Sequence, residues 1–163
     1  MTPVIRAAVF SDTHTSVGLM LDAVRSYQPD VILHLGDHDR DTGILKTEFP
    51  DIPVHVVRGN CDYVSDTPLT KVVTLGGVKA FLCHGHSYGV GWGDVSRLVY
   101  AAQEQGGRLA FYGHTHIADR QELGGVQVIN PGTAGKGRLL SWARVEVYEN
   151  GAVTCDIVEK KII

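Results

Sequence analysis

Five short apolar segments in this chain each run directly into a cluster of metal-capable side chains. Residues 7–10 lead into Ser11-Asp12-Thr13-His14, and residues 31–35 lead into Gly36-Asp37. Residues 54–57 lead, after Arg58, into Gly59-Asn60-Cys61-Asp62. Residues 80–83 run into His84-Gly85-His86, and residues 109–112 into Gly113-His114-Thr115-His116. Parallel sheets build their sites where strands end, so such residues converge on one rim if these segments are neighbouring parallel strands. Two Asp, one Asn and four His gathered there would hold two divalent cations.

The first sixty residues alternate strand and helix. A strand is expected over 4–10. A helix over 17–27 puts Val17, Leu21, Val24 and Tyr27 on one face. Pro29-Asp30 ends that helix, and the run 31–35 reads as a strand buried on both faces. A loop over 38–41, a short helix over 44–49 and a third strand over 53–57 complete a parallel βαβαβ unit with right-handed crossovers.

After residue 70 the pattern changes. Segments 71–75 and 78–83 around Gly76-Gly77 read as a hairpin. A helix is expected over 94–103, with Asp94 as N-cap and Val95, Leu98, Val99 and Ala102 on its apolar face. A strand follows over 109–112. Two more hairpins are expected, 119–123 with 126–129 around Gly124-Gly125, and 140–148 with 153–158 around Asn150-Gly151. The expectation is a parallel half joined to an antiparallel half, as two packed sheets with helices outside.

Composition excludes several classes. At 163 residues the chain suits a single domain with a proper core. Net charge of −3 argues against a basic face for nucleic acid, without removing that partner altogether. No apolar run approaches the roughly 20 residues that span a bilayer, and the start reads into a strand rather than a signal peptide. Cysteines 61, 83 and 155 form no C-x-x-C pair, which favours reduced thiols and a cytoplasmic location.

Taken singly, the clusters are ambiguous: an Asp after a strand is also an ordinary N-cap, and Gly-Asp or Gly-Asn an ordinary turn. All five strand exits presenting a ligand type changes the weighing. Imidazole with carboxylate favours Mn, Fe, Co, Ni or Zn. One shared carboxylate would set two ions ~3.5–4 Å apart, as in two-metal phosphoesterases.

The series D-x-H, G-D, G-N-C-D, H-G-H and G-H-T-H resembles the calcineurin-like metallophosphoesterase superfamily, nearest its small bacterial and archaeal phosphodiesterase branch. Asn130-Pro131-Gly132-Thr133 is similar to the turn that follows in that branch. The resemblance implies a four-layer α/β/β/α sandwich of two mixed sheets flanked by helices, in one domain over 1–163. It implies Asp12, His14, Asp37 and His116 on a first metal, with Asp37 bridging to a second held by Asn60, His84 and His114. It implies two divalent ions, Mn2+ foremost with Fe, Ni, Co or Zn as alternatives. A bridging hydroxide would hydrolyse a small phosphodiester. Phosphomonoesterase and nuclease activities stay open, as does a scaffold role like that of the retromer subunit of this fold. A homo-oligomer also stays open.

Cys61 departs from the His usual at that position in the larger superfamily. A thiol of pKa about 8.5 is a poor proton donor beside imidazolium, so good leaving groups are expected to react most readily, with water or His86 assisting poorer ones. Asp62 is expected to orient its loop, and His86 to contact phosphate. His38, Asp39 and Asp41 are expected mostly in solvent, as are Lys136 and Arg138, while His34 and His55 support the core. The glycine-rich runs 85–93 and 132–137 are expected to line the site.

Overall fold

The computed structural model describes residues 1–162. Its first sheet contains β1 (Ile5–Phe10), β2 (Val31–His34), β3 (Val54–Val56), β9 (Leu139–Val147) and β10 (Val153–Lys161), in the order β10-β9-β1-β2-β3. The second contains β4 (Thr70–Leu75), β5 (Val78–Cys83), β6 (Leu109–Phe111), β7 (Asp119–Leu123) and β8 (Val126–Asn130), in the order β4-β5-β6-β8-β7. Helices α1 (Gly18–Tyr27) and α2 (Thr42–Glu48) cover the first sheet, and α3 (Ser96–Glu104) covers the second.

Side-chain alternation along the strands builds three apolar layers. On β1, Ala7 and Val9 face the other sheet and pack with Leu33, Leu82, Phe111, Ile129 and Val145. Ala8 and Phe10 face the helices and pack with Met20, Val24, Tyr27, Leu45 and Trp142. Across the molecule, Phe81, Ala110, Tyr112 and Val128 meet Leu98, Val99 and Ala102 of α3. The result is the expected four-layer arrangement of two mixed sheets between helices.

The division into a parallel and an antiparallel half is corrected. β1, β2 and β3 are parallel as expected. The last hairpin, however, crosses back to the first sheet, where β9 runs antiparallel to β1. Within the second sheet β6 is parallel to both β5 and β8, so that half is mixed as well. A hairpin signal fixes the pairing of its own two strands but not the sheet that receives them. Smaller differences follow the same local logic. Residues Asp39–Asp41 form a 3-10 turn instead of plain loop, and two further 3-10 turns shape the glycine-rich segment 85–93. Asp94 is not the N-cap of α3: regular helix begins at Ser96 and Val95 occupies the cap position, while Asp94 Oδ1, one residue further out, accepts the Ser96 N–H at 2.9 Å.

His34 supports the core as expected. It is fully buried; its Nδ1 accepts the Gly36 N–H at 3.1 Å, which leaves Nε2–H to donate to the Thr13 hydroxyl at 3.0 Å. Burial pushes this imidazole down to about 4. Below the unfolded value of ~6.5 the unfolded chain then binds more protons, so the stability His34 contributes is present above pH 6.5 and lost toward pH 4. Urea unfolding across that window should lose roughly 3 kcal/mol from this group, and His34→Gln should flatten the slope. An unchanged slope in the variant would contradict the assignment.

Candidate metal centre

Every candidate cluster leaves the C-terminal end of a strand that runs parallel to a neighbour, and the two sheets present these ends on one rim. Asp12 follows β1, Asp37 follows β2 and Asn60 follows β3; His84 follows β5 and His114 follows β6. Hydrogen bonds tie the two sets together. The Asp12 carboxylate Oδ2 accepts the Ser11 hydroxyl at 2.6 Å and the His114 N–H at 3.1 Å. His84 Nδ1–H donates to the Leu35 carbonyl at 2.8 Å, and His114 Nδ1 lies 3.1 Å from Asn60 Oδ1.

These bonds leave one atom of each group turned inward. Asp12 Oδ1, His14 Nε2 and His84 Nε2 are buried without a hydrogen-bond partner. His116 Nε2 lies 3.2 Å from Asp12 Oδ1, and His84 Nε2 lies 3.3 Å from Asp37 Oδ2. His14 Nε2 stands 3.7 Å from both Asp12 Oδ1 and Asp37 Oδ2. Donor atoms of Asp12, His14, Asp37 and His116 all fall within 4.8 Å of one another. Unpartnered buried polar atoms carry a desolvation penalty, and a shared cation removes it for all of them together.

The electrostatics run the same way. Burial alone would push the Asp12 and Asp37 carboxyls up. For Asp12 the imidazoles of His116 and His84 and the Ser11 hydroxyl outweigh it, and for Asp37 His84 and the Cys61 N–H do. Both acids are held below the usual carboxylate range. Burial would lower His84, but the two carboxylates and the Leu35 carbonyl overcome it and raise this imidazole. His14, His86 and His114 are pushed down by burial and stay neutral at pH 7. A proton on His84 thus partly answers a pair of buried anions.

Asp62 stands behind the cluster as a tie for two loops. Its carboxylate accepts the N–H groups of Asp37, His38, Asp39 and Gly59 at 3.0, 2.8, 3.1 and 2.8 Å. Cys61 N–H donates to Asp37 Oδ1 at 2.9 Å, leaving Asp37 Oδ2 toward the imidazoles. Glycine is required at 59, where a Cβ would run into the Asp37 carboxylate. His86 lies beside the cluster, its ring 5.6 Å from that of His84 and 6.3 Å from that of His114.

One expectation fails: Asp39 is buried rather than in solvent, and accepts the Ser65 hydroxyl. Asp41 is half-buried and accepts the Thr15 N–H at 2.9 Å, so these acids brace loops. Lys136 and Arg138 are exposed, and His55 is half-buried on β3. Sequence reasoning missed the bracing by Ser11 and by the turn after β8. There Asn130 Nδ2 donates to the Gly113 carbonyl and the Thr115 hydroxyl, while the Thr133 hydroxyl donates to the Asp12 carbonyl. The resemblance of residues 130–133 to a family turn was the available signal.

Comparison with known proteins agrees with this geometry. The family profile of the calcineurin-like phosphoesterase superfamily domain matches residues 5–149. A probable metallophosphoesterase of Bacillus subtilis is 35% identical over 131 residues, covering 77% of this chain and 72% of its own length. Among solved structures, a Streptococcus pneumoniae protein assigned as a predicted phosphoesterase superposes with TM-score 0.76 at 24% identity, over 98% of this chain and 99% of that one. Entamoeba histolytica Vps29 complexed with zinc gives TM-score 0.75 at 24% identity, over 95% and 99% of the two chains. The chain belongs to the calcineurin-like phosphoesterase superfamily, with a candidate divalent-metal site at Asp12, His14, Asp37 and His116.

Two outcomes test the site. Asp62→Ala should cost roughly 2 kcal/mol or more in urea unfolding and weaken Mn2+ binding about tenfold or more by calorimetry. Asp66→Ala on the exposed part of the same loop should stay within about 0.5 kcal/mol of wild type. Second, Mn2+ affinity should fall as pH falls, beginning above the ordinary imidazole value of 6.5 because His84 is raised and its proton must leave first. Affinity that stays flat down to pH 5 would contradict that order.

Proposed function

We propose that this chain is a metal-dependent phosphodiesterase acting at a dinuclear centre, within one domain. The observation that carries the reading is the inward set of unpartnered buried atoms on Asp12, His14 and His84, from strand ends of both sheets. Asp12, His14, Asp37 and His116 would hold one ion; Asp37 would also serve a second held by Asn60, His84 and His114. The donor set of carboxylate, amide and imidazole suits Mn2+ first, with Fe, Ni, Co or Zn as alternatives. Ions bound there would lower the pKa of water toward neutrality and draw charge from phosphoryl oxygens.

The chain's own residues set the rest. The net reaction adds water to a diester, (RO)(R′O)PO2− + H2O → ROPO3H− + R′OH. Burial, then the Asp37 carboxylate, pushes the Cys61 thiol up, so it stays protonated and does not repel an arriving anion. The same shift makes it a weak acid, so R′OH leaves fastest when it is acidic itself. His86, held neutral at pH 7 chiefly by burial, can donate a hydrogen bond to a phosphoryl oxygen.

Preference for a diester is supported by two separate clefts lined by residues of the loops that carry the cluster. One cleft is lined by His114, Thr115 and Ile117, and another by His38, Cys61, Asp62 and Tyr63. A monoester would use only one of them. The free thiols at 61, 83 and 155 are consistent with a cytoplasmic location, and among the described residues no helix is long and apolar enough to cross a membrane. A scaffold role draws support from exposed Tyr63, Val64, Trp92 and Ile117 near the rim, a surface that suits a protein partner.

Purified protein with Mn2+ should hydrolyse bis-p-nitrophenyl phosphate faster than p-nitrophenyl phosphate. Asp37→Asn or His84→Ala should reduce turnover by ~1,000-fold or more, and chelation should do the same reversibly. Monoester preference would replace the diester reading. Mn2+ binding without turnover on either ester would favour the scaffold.

A further inference from the structure

The cleft beside His114 is built unlike the rest of the rim. Its volume is about 440 Å³, within the usual range for small-molecule sites, and His114 belongs both to it and to the metal cluster. Val90, Tyr112 and Ile117 give it apolar walls. Gly91 and Gly93 contribute no side chains to its lining, and a Cβ at Gly91 would be in ordinary van der Waals contact with the His114 ring, 3.9 Å away. Thr115, Asp119 and Gln121 add polar groups. Gln121 donates to Asp119 Oδ2 at 2.8 Å, which leaves the amide carbonyl and the second carboxylate oxygen as acceptors.

Charge sets what enters. No Lys or Arg lines this cleft, and Asp119 puts an anion in it. The cleft lined by His38, Cys61 and Asp62 differs, because Arg40 lines it. A second phosphate on the bound ester would therefore meet repulsion beside His114. A group that is flat and apolar on its faces, with hydrogen-bond donors along an edge and no charge, meets complementary walls.

Resting on the phosphodiesterase reading, we propose that this cleft binds an uncharged nucleoside as one ester group of the diester. Ile117 and Asp119 are its specificity-determining residues. Asp119 and Gln121 accept from base N–H or sugar hydroxyl groups, and Asp119 excludes a further phosphate. The substrates so defined are small nucleoside diesters that end at the nucleoside, not the interior of a polynucleotide.

Four esters that share p-nitrophenolate as leaving group isolate the cleft from the chemistry at phosphorus: methyl, phenyl, thymidin-5′-yl and 3′-phosphothymidin-5′-yl p-nitrophenyl phosphate. Thymidine should exceed methyl by roughly tenfold or more in kcat/KM, with phenyl between them. The 3′-phosphorylated ester should fall about tenfold below thymidine, and Asp119→Lys should reverse that order. Equal rates for the four esters, or an order unmoved by Asp119→Lys, would overturn the proposal while leaving the phosphodiesterase standing. Calorimetric titration with thymidine 5′-methyl phosphate reads the cleft without turnover. It should saturate, and Ile117→Asp, at a position 71% exposed and so tolerant of polarity, should raise Kd about tenfold. Saturable binding together with no hydrolysis of any of the four p-nitrophenyl esters would keep the cleft and reject the phosphodiesterase; no saturable binding would reject the cleft.

Discussion

Two carboxylates kept out of water at the junction of two sheets are the constraint around which the rim is organised. Asp12 is fully buried and Asp37 nearly so, and both are held ionised by neighbours. An uncompensated buried pair of like charges is far too costly to persist by chance. Every adjacent group answers it: Ser11, the amides of Cys61 and His114, and the imidazoles of His14, His84 and His116. What these leave unsatisfied is a small set of inward atoms that a shared cation would satisfy jointly.

That arrangement needs both sheets. Asp12, Asp37 and Asn60 come from one parallel run, and His84 and His114 from the other. The His84–Leu35 and His114–Asp12 bonds cross between them. Core packing of Val9, Leu33, Leu82 and Phe111 fixes the separation of the two strand sets. The return of β9 to β1 then closes the first sheet beside Asp12. The turn after β8 completes the frame, since Asn130 holds the His114 loop while Thr133 holds the Asp12 backbone.

Strand exits and their ligand types were legible because strand periodicity and turn chemistry are local signals. A short β-rich run told β1 from the helical spacing of apolar residues in α1, and Gly-Asp, Gly-Asn and Gly-His pairs marked where strands stop. The sheet that receives β9 and β10 was not legible, because it depends on contacts with Ile5 to Val9, far away in sequence. Asp62 reads as an acid that orients its loop and Asp39 as one facing solvent, and their partners were not legible for a related reason. Nothing within their own segments announces the amides of 37–39 or the hydroxyl of Ser65 that they meet in space.

Backbone conformation was likewise invisible in the sequence, and it carries the last step of the argument. Asp12, His14, Asp37, His114 and His116 all adopt left-handed φ, between 46° and 69°. Asp and His tolerate that region better than most residues, yet each such position costs roughly 1–3 kcal/mol. Added together, the strain approaches the whole net stability of an ordinary domain. Local preference therefore opposes this rim, and the three apolar layers beneath it, with the Asp62 and Thr133 ties, must impose it. Strain concentrated on five ligand-type residues, with few left-handed non-glycine positions elsewhere in the described chain, marks a surface shaped for binding over stability.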